Sequence, residues 1–174
     1  DSDNPKDPLT GDKIEILFEK MSKSKFNGVD PSVVIDKYGA DTARMFILFK
    51  APPEKDLEWD DSDVEGQFRF IQRLRKFVLK ISRIIENNYK EIKLKNKDDE
   101  AKRLINVAIK EITEDLENLQ FNTAISELMK CVNGLTTIVD SCNRETLLDI
   151  ASNLIKLVAP FSPHIAEELW RKIN

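Results

Sequence analysis

Apolar residues recur every three to four positions through most of the second half of this sequence, and this spacing limits the folds available to it. The stretch 63–88 shows the pattern over its whole length, with the apolar positions Phe70, Ile71, Leu74, Phe77, Val78, Ile81, Ile84 and Ile85. Such a period is typical of an amphipathic helix that buries one face. The same pattern predicts helices over 100–119, 122–141 and 143–158, and a last one from Ser162-Pro163 onward. Residues 63–174 therefore predict an antiparallel bundle of four to five helices with short loops.

The first 62 residues have a different character. Within residues 14–18, Ile14, Ile16 and Phe18 fall on one face at every second position, which predicts a short strand. Asp30-Pro31 predicts the start of a helix that ends at Gly39, a second helix follows over 41–49, and Pro52-Pro53 stops it. One strand and two helices cannot bury a core alone. We therefore expect a mainly α chain: residues 1–62 as the end of an α/β (Rossmann-type) catalytic domain, and 63–174 as the bundle.

Charge and composition restrict the functions that need to be considered. The 174 residues carry a net charge of −4, so nucleic-acid binding has to rest on local clusters of Lys and Arg. No apolar run approaches the roughly 20 residues that cross a bilayer, so no membrane association is expected. Cys131, Cys142 and the single histidine, His164, lack the spacing of metal ligands, and no metal site is predicted. The two cysteines are interpreted as reduced core residues.

A short cationic segment follows the predicted strand. Residues 20–25 read Lys-Met-Ser-Lys-Ser-Lys, and Asn27-Gly28 allow a tight turn directly after them. Ammonium groups in such a loop can stabilise the negative charge that builds on a departing pyrophosphate, and the two hydroxyls can bind the same oxygens. A generic lysine-rich turn is more often only a solvated surface, but this five-letter string is a specific signature.

A row of cations runs along the helix predicted at 63–88. Its members are spaced 4, 3, 4 and 3 residues apart and share one face: Arg69, Arg73, Lys76, Lys80 and Arg83. No Asp or Glu occurs between positions 67 and 85 to neutralise them, so this basic stripe could follow an RNA backbone. The alternatives are an ordinary solvated face, or neutralisation by acidic residues of the stretch 111–117 on a neighbouring helix.

Several segments together resemble the leucyl-tRNA synthetases of bacterial or organellar type, which are class I aminoacyl-tRNA synthetases. They are Lys-Met-Ser-Lys-Ser-Lys at 20–25, Gly-Ala-Asp-Thr-Ala-Arg at 39–44, Ala-Pro-Pro-Glu-Lys-Asp-Leu-Glu-Trp at 51–59, Phe-Asn-Thr-Ala-Ile-Ser at 121–126, and Ala-Pro-Phe-Ser-Pro-His-Ile-Ala-Glu-Glu-Leu-Trp at 159–170. The first segment fits the isoleucyl, valyl and methionyl enzymes equally well. The segment at 51–59 resembles the leucyl enzymes in particular.

The resemblance implies roles for individual residues. Lys20 and Lys23 match the catalytic lysines that hold the ATP phosphates during formation of leucyl-adenylate, and Met21, Ser22 and Ser24 match the rest of that ATP-binding loop. Residues 41–44 would lie in the stem-contact region between the catalytic domain and the bundle. Residues 63–174 would form an anticodon-binding-type domain that holds leucine-specific tRNA. ATP is the implied substrate, with Mg²⁺ expected beside it, and the implied location is the cytoplasm or an organelle.

Other parts of the family pattern are missing from this sequence. The histidine pair of the second ATP signature is absent, because the only histidine, His164, lies near the end. No editing domain and no leucine pocket can be identified. We therefore expect a fragment or split subunit that needs the remaining catalytic and editing domains and is inactive alone. Two alternatives stay open: another class I synthetase, or a non-catalytic helical RNA-binding module.

Overall fold

The fold is described from a computed structural model that covers residues 5–15, 17, 19–86 and 96–173. It consists of two compact units, Asp1–Asp30 and Pro31–Asn174. The second unit is entirely helical apart from its connections, so the mainly α fold class is confirmed. The predicted domain boundary at residue 62 is not the boundary between these two units, which lies after Asp30. The assignment of residues 1–62 and 63–174 to two domains stays a prediction.

The first unit contains no strand among its described residues. Lys6 and Lys13 form one isolated antiparallel bridge, closed by a turn in which Asp7 Oδ1 accepts hydrogen bonds from the amides of Leu9 and Thr10 at 2.7 and 3.2 Å. The strand predicted at 14–18 is wrong for Ile14, Glu15 and Leu17, while positions 16 and 18 lie outside the described residues. A strand needs a hydrogen-bonded neighbour along its length, and a single bridge does not supply one.

The described residues of the second unit form seven α-helices, in an order close to the predicted one. Their bounds are α1 Pro31–Tyr38, α2 Ala40–Lys50, α3 Asp61–Glu86, α4 Asp98–Glu117, α5 Phe121–Thr136, α6 Arg144–Val158 and α7 Pro163–Ile173. Proline occupies the first position of α1 and α7, where its missing N–H costs nothing. Asn143 caps α6 as its residue type predicts, because its side chain accepts a hydrogen bond from the amide of Thr146 at 2.8 Å.

Two of the predicted helix ends need correction. The helix predicted at 122–141 ends at Thr136, and a separate 3-10 turn covers Val139–Ser141. The helix predicted at 100–119 ends at Glu117, and Leu119 beyond it is left-handed with φ 57°. The predicted end of the first long helix, position 88, lies outside the described residues.

The apolar faces of α3 to α7 meet in one core, which α2 joins through Met45. Ion pairs and capping hydrogen bonds also join neighbouring helices to one another. Arg75 of α3 pairs with Glu168 of α7 at 2.7 Å. Asp98, buried at the start of α4, accepts hydrogen bonds from the backbone and side-chain amides of Asn143 at 2.7 and 2.8 Å. A second, smaller core joins α1, α2 and α3 through Val34, Phe46 and Val64.

Candidate functional site

The cationic loop, residues 20–28, is held closed by one asparagine side chain. It contains the 3-10 turn Lys23–Lys25, which Phe26 ends in the left-handed conformation with φ 52°. Asn27 Oδ1 accepts a hydrogen bond from the amide of Ser22 at 2.8 Å, and its Nδ2 donates to the carbonyl of Lys20 at 3.4 Å. These two hydrogen bonds join Asn27 to residues five and seven positions earlier and so close the loop.

The lysines of this loop are not equivalent. Lys25 donates to Glu19 at 2.6 Å and is already neutralised. Lys20 and Lys23 are exposed, and neither forms an ion pair with any residue that the structure describes. Their ammonium groups are therefore available to an anionic ligand. Ser22 and Ser24 share a hydrogen bond between their hydroxyls at 2.9 Å, so one of the two hydroxyl protons remains available as a donor.

A cavity of about 430 Å³ opens along one side of the loop, lined by Glu19, Lys20, Met21, Ser22 and Lys25. It brings Lys20 and Ser22 to the same wall. Glu19 also lines this cavity, and its carboxylate would repel a bound anion unless the ion pair with Lys25 neutralises it. The cavity therefore suits an anion bound mainly through Lys20 and the Ser22 hydroxyl, while Lys23 lies outside its lining.

The basic stripe of α3 is exposed along its whole length, but part of it is neutralised. All five cations lie on the solvent side of the helix. Lys80 pairs with Asp140 at 2.6 Å and Arg69 pairs with Glu65 at 3.5 Å. The expectation that no carboxylate neutralises the cations of the stripe is therefore wrong at these two positions. Glu65 lies just before the acid-free window of the sequence, and Asp140 is brought in by the tertiary fold.

Arg73, Lys76 and Arg83 have no ion pair with any described residue, and the acidic stretch 111–117 supplies none to the stripe within the described ranges. Arg73 lies over the ring of Phe70, with its guanidinium carbon 5.6 Å from the ring centroid. Beside it is a cavity of about 300 Å³ lined by Phe68, Arg69, Gln72, Arg73 and Lys76. Among the described residues, three cations of the stripe are therefore without an ion pair, and two of them, Arg73 and Lys76, line this cavity.

The motif at 39–44 has a structural role that its sequence did not indicate. Asp41, near the start of α2, caps α7 at the far end of the chain. Its carboxylate accepts hydrogen bonds from the amide of Ile165 at 2.7 Å and the amide of His164 at 3.3 Å, and it lies 2.8 Å from His164 Nδ1. Helix N-termini carry unpaired amides and a positive dipole, so a carboxylate stabilises them.

Arg44, one turn later on α2, binds the connection between α6 and α7. Its guanidinium donates to the carbonyls of Pro160 and Phe161 at 3.1 and 3.4 Å. Together Asp41 and Arg44 fix the motif at 39–44 against the motif that begins at position 159. Both segments, 39–44 and 159–170, stood out in the sequence, but nothing in either one indicates that they contact each other.

Trp59 belongs to the stretch before α3 and is half-buried. Its ring lies edge-on to that of Phe46 at a centroid distance of 4.9 Å, and its indole N–H donates to Asp61 at 2.9 Å. Close by, Lys50 at the end of α2 pairs with Asp63 of α3, and this contact raises the pKa of the Lys50 ammonium above its ordinary value. Because Phe46 and Asp61 both belong to the second unit, Trp59 packs within that unit.

The comparisons with known proteins agree with one another. Residues 18–60 match the family of tRNA synthetases class I (I, L, M and V), and residues 98–174 match the anticodon-binding domain of tRNA ligase. Leucine–tRNA ligases of Prochlorococcus marinus (strain NATL1A) and Synechococcus sp. (strain CC9605) are 73% and 55% identical, and each match covers all of this chain. Over its whole length the chain is similar to leucyl-tRNA synthetases. It spans about one fifth of the length of these relatives, because each match covers 20% of the relative.

A solved leucyl-tRNA synthetase has the same fold over most of this chain. That protein, agnB2 LeuRS of Agrobacterium radiobacter K84, was crystallised as a ternary complex with tRNA and LeuAMS. It superimposes with a TM-score of 0.79 and 32% identity, over 89% of this chain and 21% of the other. The cationic loop lies inside the region that matches class I synthetases, whereas the whole of α3, with its basic stripe, lies between the two matched regions.

The described residues give little support to a reactive thiol, a metal site or a membrane-spanning helix. Burial raises the pKa of the Cys131 thiol to about 12 and that of Cys142 to about 11, so neither is a reactive thiolate near neutral pH. Within the described ranges, no group of three or more His, Cys, Asp or Glu side chains could hold a metal ion. In the same ranges, no helix is long and apolar enough to span a bilayer.

Proposed function

We propose that this chain forms part of a leucine–tRNA ligase, with residues 1–62 as the end of its class I catalytic domain and 63–174 as its tRNA-holding domain. The cationic loop would bind the phosphates of ATP while leucine is activated. The observation that carries this proposal is the signature at 20–24, whose two family lysines are exposed and unpaired within the described part of the chain. The identities of the relatives favour leucine over isoleucine, valine or methionine.

In this reaction the leucine carboxylate attacks the α-phosphorus of ATP, and pyrophosphate leaves. Negative charge grows on the departing oxygens in the transition state. The Nζ atoms of Lys20 and Lys23 would interact with that charge more strongly than with ground-state ATP, which lowers the barrier. The Ser22 and Ser24 hydroxyls would orient the same phosphates. Mg²⁺ is expected to accompany ATP, but the described residues offer no acidic cluster for it, so no residue of this chain is assigned to it.

The basic stripe supports the second half of the proposal, the holding of leucine-specific tRNA. Arg73, Lys76 and Arg83 offer cations without an ion pair among the described residues on one exposed helix face, and the polyanionic RNA backbone is their natural complement. Such a protein works where ATP and tRNA are present, which means the cytoplasm or an organelle. The leucine pocket and editing functions would belong to the rest of the protein, so the chain by itself should not activate leucine.

The test of the activity is leucine-dependent ATP–pyrophosphate exchange by the full-length protein. Lys20→Ala with Lys23→Ala should lower the exchange rate by about 100-fold or more, in the range seen when a positioned transition-state donor is removed. Lys6→Ala removes the same kind of charge from an exposed site in the same unit and serves as the matched control. Exchange should occur with leucine and not with isoleucine, valine or methionine.

Three results would contradict the proposal. Exchange that survives loss of both lysines would remove the loop from catalysis. Exchange with another amino acid would identify a different class I synthetase. Absence of exchange with every amino acid, together with salt-sensitive tRNA binding, would favour the non-catalytic RNA-binding module.

A separate measurement tests the stripe. Arg69→Ala with Arg73→Ala should weaken tRNA binding and make its dependence on salt concentration less steep, because fewer counterions are released. An unchanged slope in a log–log plot of affinity against salt would mean that these residues do not contact phosphates.

A further inference from the structure

The exposed surface at the N-terminal half of α3 combines cations with aromatic rings. Phe68 lines the cavity of about 300 Å³ beside Arg73 and Lys76. Its ring is half-buried and lies edge-on to that of Tyr38 from α1, at a centroid distance of 5.7 Å. The ammonium of Lys37 lies 4.7 Å from the centroid of the Tyr38 ring. A cationic groove with interleaved aromatic rings is the arrangement that binds unpaired nucleotides, because the rings stack on bases while the cations bind phosphates.

The individual cations of the stripe differ in whether they can still bind a phosphate. Lys80 is held by Asp140 from the turn before α6, so a phosphate at Lys80 would have to displace a carboxylate. Arg73 and Lys76 form no ion pair with any described residue, and the Arg73 guanidinium lies over the buried ring of Phe70. Arg69, on the same cavity wall, is paired with Glu65 at 3.5 Å. Gln72 lies on the same cavity wall and offers both a donor and an acceptor to a base edge.

We infer that this cavity takes one unpaired nucleotide of the bound RNA, with Phe68 stacking on the base and Arg73 and Lys76 binding the flanking phosphates. The inference rests on the proposed tRNA-holding role and narrows it to one part of the stripe. Tyr38 supports Phe68 from behind, and Lys37 extends the positive surface onto α1. Lys80 has a structural role, in which its ion pair with Asp140 anchors the turn Val139–Ser141 to the helix.

The experiment measures the affinity of the full-length protein for a leucine-specific tRNA transcript at several salt concentrations, without ATP or leucine. Phe68→Leu keeps an apolar side chain against Tyr38 but removes the stacking surface. It should weaken binding by about tenfold, as expected for one lost base stack, without changing the salt slope. Arg73→Gln and Lys76→Gln should weaken binding and each reduce the slope by about 1.

Two comparisons complete the design. Lys80→Gln should change the slope less than Lys76→Gln, because Lys80 is already paired. Lys102→Gln removes a charge from the exposed side of α4 and is the matched control for net charge. Because the readout is RNA affinity alone, failure of leucine activation would overturn the proposed function without affecting these measurements.

Specific results would overturn the inference. If Phe68→Leu leaves tRNA affinity unchanged while Arg73→Gln lowers it, the stripe contacts phosphates and no base is stacked. If Phe68→Leu lowers the melting temperature of the full-length protein without changing its tRNA affinity, the ring serves only to pack against Tyr38 and no base is stacked on it. Equal slopes for Lys80→Gln and Lys76→Gln would show that the stripe is not divided.

Discussion

Replacement of Asp41 tests the contact that joins the two ends of the helical unit. Its carboxylate is only 12% exposed and accepts hydrogen bonds from two of the otherwise unpaired amides of α7. Asp41→Ala removes both bonds and the favourable interaction of the charge with the helix dipole. A lost helix cap costs up to about 2 kcal/mol, and the dipole interaction adds about 0.3–1 kcal/mol. We therefore expect the free energy of unfolding to fall by about 2–3 kcal/mol.

Thermal and urea unfolding of the 174-residue chain, followed by circular dichroism, would measure this change. For a chain of this size the melting temperature should fall by about 5–10 °C. Asp41→Asn keeps one carbonyl oxygen but presents an amide donor to the second N–H. It should therefore lower the free energy of unfolding by about half as much as Asp41→Ala. Asp36→Ala on the exposed side of α1 is the matched control and should change stability by less than about 0.5 kcal/mol.

His164 separates two explanations of the effect. Its ring also contacts Asp41, but the side chain is 77% exposed, so His164→Ala should cost no more than about 0.5 kcal/mol. If His164→Ala were as destabilising as Asp41→Ala, the ring contact and not the capping of backbone amides would hold α7. If Asp41→Ala were neutral, the reasoning from helix capping would fail altogether.

Three further predictions concern a buried carboxylate and the two thiols. Asp98→Ala should lower the free energy of unfolding by about 2 kcal/mol, because it leaves the amides of Asn143 without partners, whereas the exposed neighbour Asp99→Ala should have little effect in the same urea titration. Cys131 and Cys142 should resist labelling by DTNB at about pH 8 until guanidinium unfolds the chain, and fast labelling of the native state would contradict their burial. Since burial raises both thiol pKa values above the ordinary 9.0, to about 12 and about 11, their contribution to stability should be complete below pH 9.0 and decline as pH rises toward 11.

Local chemistry in the sequence determined most of the secondary structure. The three-to-four-residue period fixes which face of each helix is buried, and Pro31, Asn143 and Pro163 mark helix starts because their side chains suit those positions. The signature at 20–24 indicates the candidate ATP-binding loop from residue identities alone, because phosphate binding requires particular residue types close together in the chain. Both are short-range properties, which a linear sequence contains directly.

The tertiary structure decided which distant groups meet. Asp41 caps a helix that starts 122 residues later, and no local rule predicts that partner because an unpaired helix N-terminus accepts any suitably placed carboxylate. Lys80 appeared free in the sequence and is neutralised by Asp140 only because α3 and the turn Val139–Ser141 pack together. The strand expected at 14–18 failed for the same reason: a strand is stabilised by a neighbour, and alternation in the sequence cannot supply one.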